Sequence, residues 1–190
     1  MSTASVDEAT LLHVDLIVLG GGSGGLAAAF RAAEYGQRVA LVEPGALGGT
    51  CVNVGCVPKK AMWLAADLGA RIGQAAQLGF ALPGEGRVAF DWPKFITDRQ
   101  RYIHGIHDSY RKRLDRDGIV VLPTRGRLSG PGRVVCDDGT CLAAPHIVLA
   151  TGSAPQRPDI PGAALGAVSD DFFTWCAAPP RVAMIGGGYI

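Results

Sequence analysis

The sequence carries little charge and no excess of either sign. Its 18 lysines and arginines nearly balance 17 aspartates and glutamates, so the formal net charge of the 190 residues is +1. This balance gives no reason to expect a nucleic-acid partner, whose phosphates are met by clustered basic residues. The short basic run 111–113 is diluted by Asp115 and Asp117 and is interpreted as a solvated helix face.

Long apolar runs and a basic amino terminus are also missing. No apolar stretch reaches the ~18 residues that would span a membrane, so no membrane partner is expected. The first ten residues contain Asp7 and Glu8 but no lysine or arginine, which argues against a secretory signal peptide. Nearly half of the residues are apolar (48%), and this predicts a globular protein with a buried core and a cytoplasmic location.

The chain does contain a β-α-β pattern near its amino terminus. The branched, apolar run 13–19 predicts a buried parallel strand. Small and apolar residues in 25–35 predict a helix that ends at Gly36, and 38–43 predicts a second strand. Together these segments have the length of one β-α-β unit.

A glycine fingerprint falls at the first strand-to-helix turn of this unit. Gly20, Gly22 and Gly25 allow a tight turn, a close backbone approach to a pyrophosphate and close packing of helix on strand. The free N–H groups at the helix start favour phosphate binding. Glu43 ends the second strand, where an acidic side chain binds ribose hydroxyls. The unit therefore predicts a dinucleotide site, for FAD or NAD rather than NADP.

A second motif, 48–60, holds two cysteines five positions apart. Residues five apart in a regular helix are separated by about 7.5 Å along its axis, whereas a disulfide needs Cα atoms within roughly 7 Å. A Cys51–Cys56 bond therefore requires irregular backbone, which Gly55 permits. Pro58 suits the first turn of a helix, so Cys56 is expected at the positive end, where a thiolate is stabilised. Two ordinary reduced cysteines, or a metal site, are the alternatives, but no second pair of ligand spacing lies nearby.

The remaining segments complete a mixed α/β pattern. The segments 61–67 and 91–116 predict helices, the second ending near Gly118. Short antiparallel strands are predicted at 119–122, 133–136 and 141–143, and a buried strand at 145–152. A final strand is predicted at 181–185, before the glycine-rich run 186–190. Cys136 and Cys141 are expected to face each other across a hairpin in a structural role, and Cys176 to lie in the core.

At these residues the chain resembles the pyridine nucleotide-disulfide oxidoreductase family. The segment 48–60 is similar to the family's redox-disulfide motif, and 57–63 looks more like its glutathione-reducing branch than its lipoamide branch. The resemblance implies an α/β, Rossmann-like FAD-binding domain, incomplete here, in which a small antiparallel β-meander accompanies a parallel sheet with helices. It implies that 1–155 belong to this domain and that 156–190 begin an NAD(P)H-binding domain.

The resemblance also implies an activity and a set of site residues. Electrons would pass from NADPH to FAD, then to a Cys51–Cys56 disulfide, and finally to a small disulfide substrate such as glutathione disulfide. Cys56 would contact the flavin and Cys51 would attack the substrate. The implied cofactor-binding residues are Gly20, Gly22, Ser23, Gly24, Gly25, Glu43, Thr50, Cys51, Lys59, Gly126, Leu128, Thr151 and Gly152. Lys60 is a rival of Lys59 beside the flavin, and the implied substrate contacts are Ser23, Phe30 and Tyr110.

Several departures from the family pattern leave alternatives open. Phe30 stands where the glutathione-reducing branch often has a polar or basic residue, which weakens the case for glutathione and leaves room for a less acidic disulfide. The family's His-Pro base is not found, because none of the four histidines is followed by proline. The family's NADPH domain and homodimerisation domain are also not found. Because the nicotinamide site and the base are missing, the chain alone is expected to lack turnover with NADPH. A non-catalytic fragment and a reductase of mercuric ion or lipoamide are the alternatives.

Overall fold

A computed structural model describes residues 11–81 and 89–188 of the chain. The strands in these ranges are β1 Leu11–His13, β2 Leu16–Leu19, β3 Val39–Val42, β4 Val120–Leu122, β5 Gly126–Gly130, β6 Arg133–Cys136, β7 Cys141–Ala143 and β8 His146–Leu149. The helices are α1 Ser23–Glu34, α2 Gly49–Val54, α3 Cys56–Ala75, α4 Trp92–Arg116 and α5 Ser169–Phe172. Among the described helices, none combines the length and apolar character needed to cross a membrane.

The main sheet is parallel and has the strand order β4-β3-β2-β8. All three strand pairs run in the same direction. Strands β2 and β3 lie at the centre and are joined through α1, as the β-α-β pattern predicts. The carboxyl ends of β2, β3 and β8 therefore meet at one edge of the sheet, where ligands bind in folds of this class. The predicted α/β class, with a Rossmann-like parallel sheet and helices, is confirmed.

The second sheet has the order β1-β7-β6-β5 and contains an antiparallel meander. Strands β5, β6 and β7 pair antiparallel, whereas β1 pairs parallel with β7. Alternate side chains of the main sheet, including Ile17 and Val42, pack against Val134 and Leu142 of this meander. The opposite face, including Val18 and Leu41, packs against helices α1 and α4. The two-residue alternation of the strands thus divides the core into two clusters.

The strand predicted at 13–19 is broken in the structure at Val14–Asp15. The Asp15 carboxylate accepts hydrogen bonds from the Arg38 backbone N–H (2.8 Å), Nε (3.1 Å) and Nη2 (2.9 Å). These bonds with Arg38 lower the pKa of Asp15 to about 2. The break lets β1 join the second sheet while β2 enters the main one. A long-range ion pair of this kind leaves no mark on the local apolar pattern.

Two strand predictions around the meander were wrong in part. The run predicted at 119–122 is β4, but it pairs parallel with β3 in the main sheet, because α4 carries the chain back to the start of that sheet. Strand β5 was not predicted, since most of its residues are exposed and show no apolar alternation. The run predicted at 145–152 forms β8, but at the sheet's edge, where Leu149 is 61% exposed.

The strand predicted at 181–185 is not present. These residues are irregular and exposed, since they find no strand partner within the described part of the chain.

Cys176 is also exposed rather than in the core. Cys136 and Cys141 are buried and free, and burial is the main cause of the raised pKa of Cys136. Cys141 pairs with Val135 rather than facing Cys136. The helices predicted at 61–67 and 91–116 are found within α3 and α4.

Candidate functional site

The glycine turn lies at the carboxyl edge of the main sheet, between β2 and α1. Gly20 has φ +108°, a conformation that L side chains rarely adopt, and a Cβ atom there would collide with the Ala150 carbonyl oxygen. A Cβ atom at Gly25 would collide with the Gly20 carbonyl oxygen. Both glycines are therefore required by close backbone packing. Gly22 differs, because its nearest neighbour would be the Gly49 Cα atom at 3.7 Å.

The amino terminus of α1 and the Glu43 carboxylate frame this turn. The N-cap residue of α1 is Gly22, which has no side chain to cap the helix, and the first turn contains no acidic residue. The free N–H groups and the positive helix end therefore remain able to bind a phosphate. The Glu43 carboxylate accepts hydrogen bonds from the Gly21 N–H (2.6 Å) and the Gly45 N–H (2.7 Å). Each carboxylate oxygen keeps a further lone pair for a ligand hydroxyl. These groups fit a dinucleotide.

The segment carrying the two cysteines contacts this glycine turn directly. Gly22 and Gly48 form an isolated parallel β-bridge, and the Gly48 N–H donates to the Gly21 carbonyl oxygen at 2.8 Å. A Cβ atom at Gly49, which has φ +57°, would lie 2.8 Å from the Gly22 Cα atom. The approach is thus too close for a side chain at Gly49. Glycines on both sides let the two motifs touch through their backbones.

The cysteines occupy two consecutive helices. Cys51 lies in the short helix α2, and Cys56 is the first residue of α3. Gly55 separates the helices with φ −150° and ψ −119°, and a Cβ atom there would lie 2.7 Å from the Thr50 carbonyl oxygen. The predicted irregular backbone at Gly55 and the predicted helix start at Cys56 are confirmed. Both thiols are free, Cys51 half-buried and Cys56 exposed, which corresponds to the dithiol form.

The environment of Cys51 favours its protonated form. The pKa of Cys51 is raised, first by a side-chain hydrogen bond with Cys56 and then by burial. A hydrogen bond with the Ser23 hydroxyl acts in the opposite direction and lowers this pKa. Ser23 is the first residue of α1, so the predicted contact residues Ser23 and Cys51 do lie together.

We expect Cys56→Ser to lower the pKa of Cys51, because the largest cause of its elevation is removed. The rate at which Cys51 is alkylated by iodoacetamide should then rise at lower pH than in the parent chain. Peptide mass spectrometry across a pH series measures this rate for Cys51 alone. An unchanged pH profile would show that the Cys56 thiol does not hold the Cys51 proton.

The other predicted cofactor residues are distributed around the same edge. Thr50 is exposed in the first turn of α2, and Thr151 and Gly152 follow β8 beside Gly20. Gly126 packs against Leu19 and Val42, the last residues of β2 and β3, and a Cβ atom there would lie 3.1 Å from Leu19 Cδ2 and 3.2 Å from Val42 Cγ1. These four residues are therefore brought to the glycine turn or to the strand ends beside it.

Three predicted residues lie on exposed positions. Leu128 is 54% exposed on β5. Lys59 and Lys60 are both exposed in the first turn of α3. The Lys60 Nζ atom lies over the Trp63 ring, 4.8 Å from its centroid. Lys60 is thus engaged by its own helix.

The structure places Phe30 in the core rather than at a surface. Phe30 is 6% exposed and packs near Tyr110, with 6.4 Å between the ring centroids. The Arg113 guanidinium covers it, 4.0 Å from the ring centroid. Arg113 also pairs with Glu34 (3.0 Å) and Asp117 (3.3 Å). The groups presented where α1 meets α4 are consequently Tyr110 and Arg113. Arg113 belongs to the run 111–113, which was interpreted as a solvated helix face, and its packing on Phe30 was not predicted.

A polar bridge between α4 and α2, the helix that carries Cys51, was not predicted from the sequence. The Nε2 atom of His107, on α4, lies 2.8 Å from the Oδ1 atom of Asn53, on α2. His107 is only 8% exposed, so this bridge supplies a hydrogen-bond partner for a buried histidine. No local pattern signals this contact, because it joins residues 54 positions apart. Across the two described ranges, no group of three histidine, cysteine or acidic side chains could hold a metal ion.

Comparison with known proteins places these features in a family. A family model described as pyridine nucleotide-disulphide oxidoreductase matches residues 14–190. A curated glutathione reductase of Yarrowia lipolytica is 44% identical over 192 residues, which cover 96% of this chain and 41% of the relative. A glutathione reductase of Schizosaccharomyces pombe is 44% identical over 183 residues, or 93% of this chain and 39% of the relative. The chain thus spans about two fifths of the length of these relatives. Since the match covers nearly all of its residues, this chain belongs to the pyridine nucleotide-disulphide oxidoreductase family.

Proposed function

We propose that this chain is the FAD-binding and dithiol segment of an NADPH-dependent reductase of glutathione disulfide. The observation that carries the proposal is the backbone contact between the glycine turn and the cysteine segment, made through Gly22 and Gly48. A dinucleotide bound at this turn would lie beside the dithiol. The relatives named glutathione reductase support the choice of substrate.

The residues that would hold FAD lie at the carboxyl edge of the main sheet. The N–H groups of Ser23 and Gly24 would bind its pyrophosphate, and Glu43 would accept hydrogen bonds from its ribose. Lys59 is favoured over Lys60 beside the flavin, because Lys60 is engaged with Trp63. When bound, FAD would supply the two electrons, taken from NADPH, that reopen a Cys51–Cys56 disulfide.

The two thiols would perform the exchange with substrate. The Cys51 thiolate attacks one sulfur of glutathione disulfide, forms a mixed disulfide and releases one glutathione thiolate. Cys56 then attacks the Cys51 sulfur, closes the Cys51–Cys56 bond and releases the second glutathione. Two cysteine thiols are oxidised and one substrate disulfide is reduced, so electrons and atoms balance. The pKa of Cys51 is raised, first by its hydrogen bond with Cys56, and the hydrogen bond with the Ser23 hydroxyl offsets part of this elevation in favour of the thiolate that the first step requires.

Arg113 already pairs with the carboxylates of Glu34 and Asp117, so it does not by itself select an acidic substrate. It brings a guanidinium to the junction of α1 and α4, where Phe30 offers no charge. We propose that Tyr110 and Arg113 line the approach to Cys51.

We also propose the division of the chain near residue 155, since both core clusters are formed by residues that precede it.

The experiment that tests this function is oxidation of the reduced chain by glutathione disulfide. We expect the peptide that carries Cys51 and Cys56 to lose two hydrogens and to gain no glutathione, as measured by mass spectrometry after rapid alkylation. Cys136 and Cys141, which are buried, should stay reduced. A stable glutathione adduct in place of the internal bond would contradict the proposal.

A further inference from the structure

The side chain of Asn53 ties the short helix α2 to two neighbouring parts of the chain. Asn53 lies two residues after Cys51 and three before Cys56. Its Nδ2 atom donates to the carbonyl oxygens of Gly49 (2.9 Å), Leu47 (3.2 Å) and Ala46 (3.3 Å). One amide group therefore fastens α2 to the loop that precedes it.

The remaining polar atom of Asn53 contacts a different helix. Its Oδ1 atom can only accept a hydrogen bond, so the Nε2 atom of His107, 2.8 Å away, carries the proton and donates it. This direction follows from the chemistry of the amide, whose nitrogen is already committed as a donor. The bridge is long-range in sequence and joins α2 to the middle of the 25-residue helix α4.

His107 is buried and has a lowered pKa. Burial is the largest cause, and the positive charges of Arg111 and His104 add to it, while Asp108 acts in the opposite direction. The exposed His104 lies on the same helix, with 6.1 Å between the two ring centroids. The neutral imidazole with its proton on Nε2 is consequently the form that meets Asn53 near neutral pH. His107 takes no part in the thiol exchange steps proposed above.

The packing of α2 indicates why such a bridge is needed. The helix has six residues and buries only Val52. Helices this short are marginal without tertiary contacts. Its far end is Gly55, which brings no side chain to hold it. The polar bridge from α4 therefore adds to the backbone contacts of Gly48 and Gly49 in fixing where the Cys51 backbone lies.

We propose that His107 is a positioning residue for the dithiol. Through Asn53 it fixes α2, and with it Cys51, at the position relative to Cys56 from which the disulfide closes and opens. The proposal rests on the redox role proposed above for the two cysteines. It assigns no contact between His107 and substrate. The side chain acts only by raising the effective concentration of one thiol at the other.

The test is a titration of the reduced chain in buffers of glutathione and glutathione disulfide. The readout is the fraction of the Cys51–Cys56 disulfide, measured by peptide mass spectrometry, in the parent chain and three variants. We expect His107→Leu to lower the equilibrium constant for disulfide formation about five-fold, the effect of one hydrogen bond. In His107→Gln the side-chain amide N–H can reach the Oδ1 atom of Asn53, so this variant should restore most of the equilibrium constant. His104 lies three residues away on α4, and the matched control His104→Leu should leave the equilibrium constant for disulfide formation unchanged.

The outcomes separate positioning from stability and from the proposed function. If His107→Leu lowers the melting temperature but leaves the equilibrium constant unchanged, the proposal is overturned. If the parent chain forms no Cys51–Cys56 disulfide, the proposed function fails. The positioning role of His107 is then tested by amide hydrogen exchange alone. In that case His107→Leu, but not His107→Gln, should accelerate exchange at 49–54 while exchange in β2 and β3 stays unchanged. Equal exchange rates at 49–54 in the parent chain and all variants would overturn the positioning role of His107.

Discussion

Replacement of Gly25 by alanine should destabilise the fold by about 3 kcal/mol and abolish flavin retention. The added Cβ atom collides with the Gly20 carbonyl oxygen and also meets Val18 Cγ1 at 3.2 Å. Neither neighbour is the flexible end of a long side chain, so α1 must shift away from β2. For a chain of this size the melting temperature should fall by about 6–12 °C. Thermal unfolding and the visible spectrum after removal of free FAD measure the two effects.

The neighbouring residue provides a matched control for this change. Gly24 is exposed in the first turn of α1, and a Cβ atom there would meet no atom within 4 Å in the described part of the chain. Gly24→Ala should therefore keep the melting temperature or raise it slightly, since alanine favours a helix by about 0.5–1 kcal/mol over glycine. Loss of flavin with unchanged stability in Gly24→Ala would place Gly24 against the cofactor. Equal melting temperatures for both variants would contradict the packing argument for Gly25.

The sequence predicted the elements whose signals are local. The first glycine turn, α1 and β3 follow from short patterns with a defined period, and Glu43 follows from its distance to that turn. The helix predicted from Asp91 has a local cause as well, because the Asp91 carboxylate accepts the Lys94 N–H at 2.9 Å and Pro93 stands in the first turn. The start of α3 at Cys56 follows in the same way from Gly55 and Pro58.

The features that were missed depend on partners distant in the chain. The break in the first strand depends on Arg38, and the parallel pairing of β4 depends on where α4 returns the chain. Phe30 is covered by Arg113, which lies 83 positions later in a basic run whose local pattern indicates only a solvated helix face. The Asn53–His107 bridge is missed for the same reason. Sequence patterns give the side chains that do chemistry, while those that position them emerge from packing.

Removal of either cysteine of the pair should block closure of the internal disulfide and trap the chain with glutathione. In Cys56→Ser, Cys51 can still attack glutathione disulfide, but no second thiol is held beside it. The mixed disulfide should then persist at least ~10³-fold longer than in the parent chain, because an oriented intramolecular attack is lost. Cys51→Ser should form an adduct at the exposed Cys56 instead. Mass spectrometry after quenching at successive times measures both lifetimes.

Two further variants separate this effect from general thiol reactivity. Cys176 is exposed and its Sγ atom lies 3.6 Å from the Thr174 carbonyl oxygen, and we expect Cys176→Ser to leave closure at Cys51–Cys56 unchanged. Cys136→Ser tests the second pair of the same spacing, which is buried between the sheets and should exchange only on unfolding. A short-lived adduct in Cys56→Ser would show that another thiol resolves Cys51. Cys51 follows Gly48 and Gly49 closely in the chain, and these two glycines contact the glycine turn through Gly22.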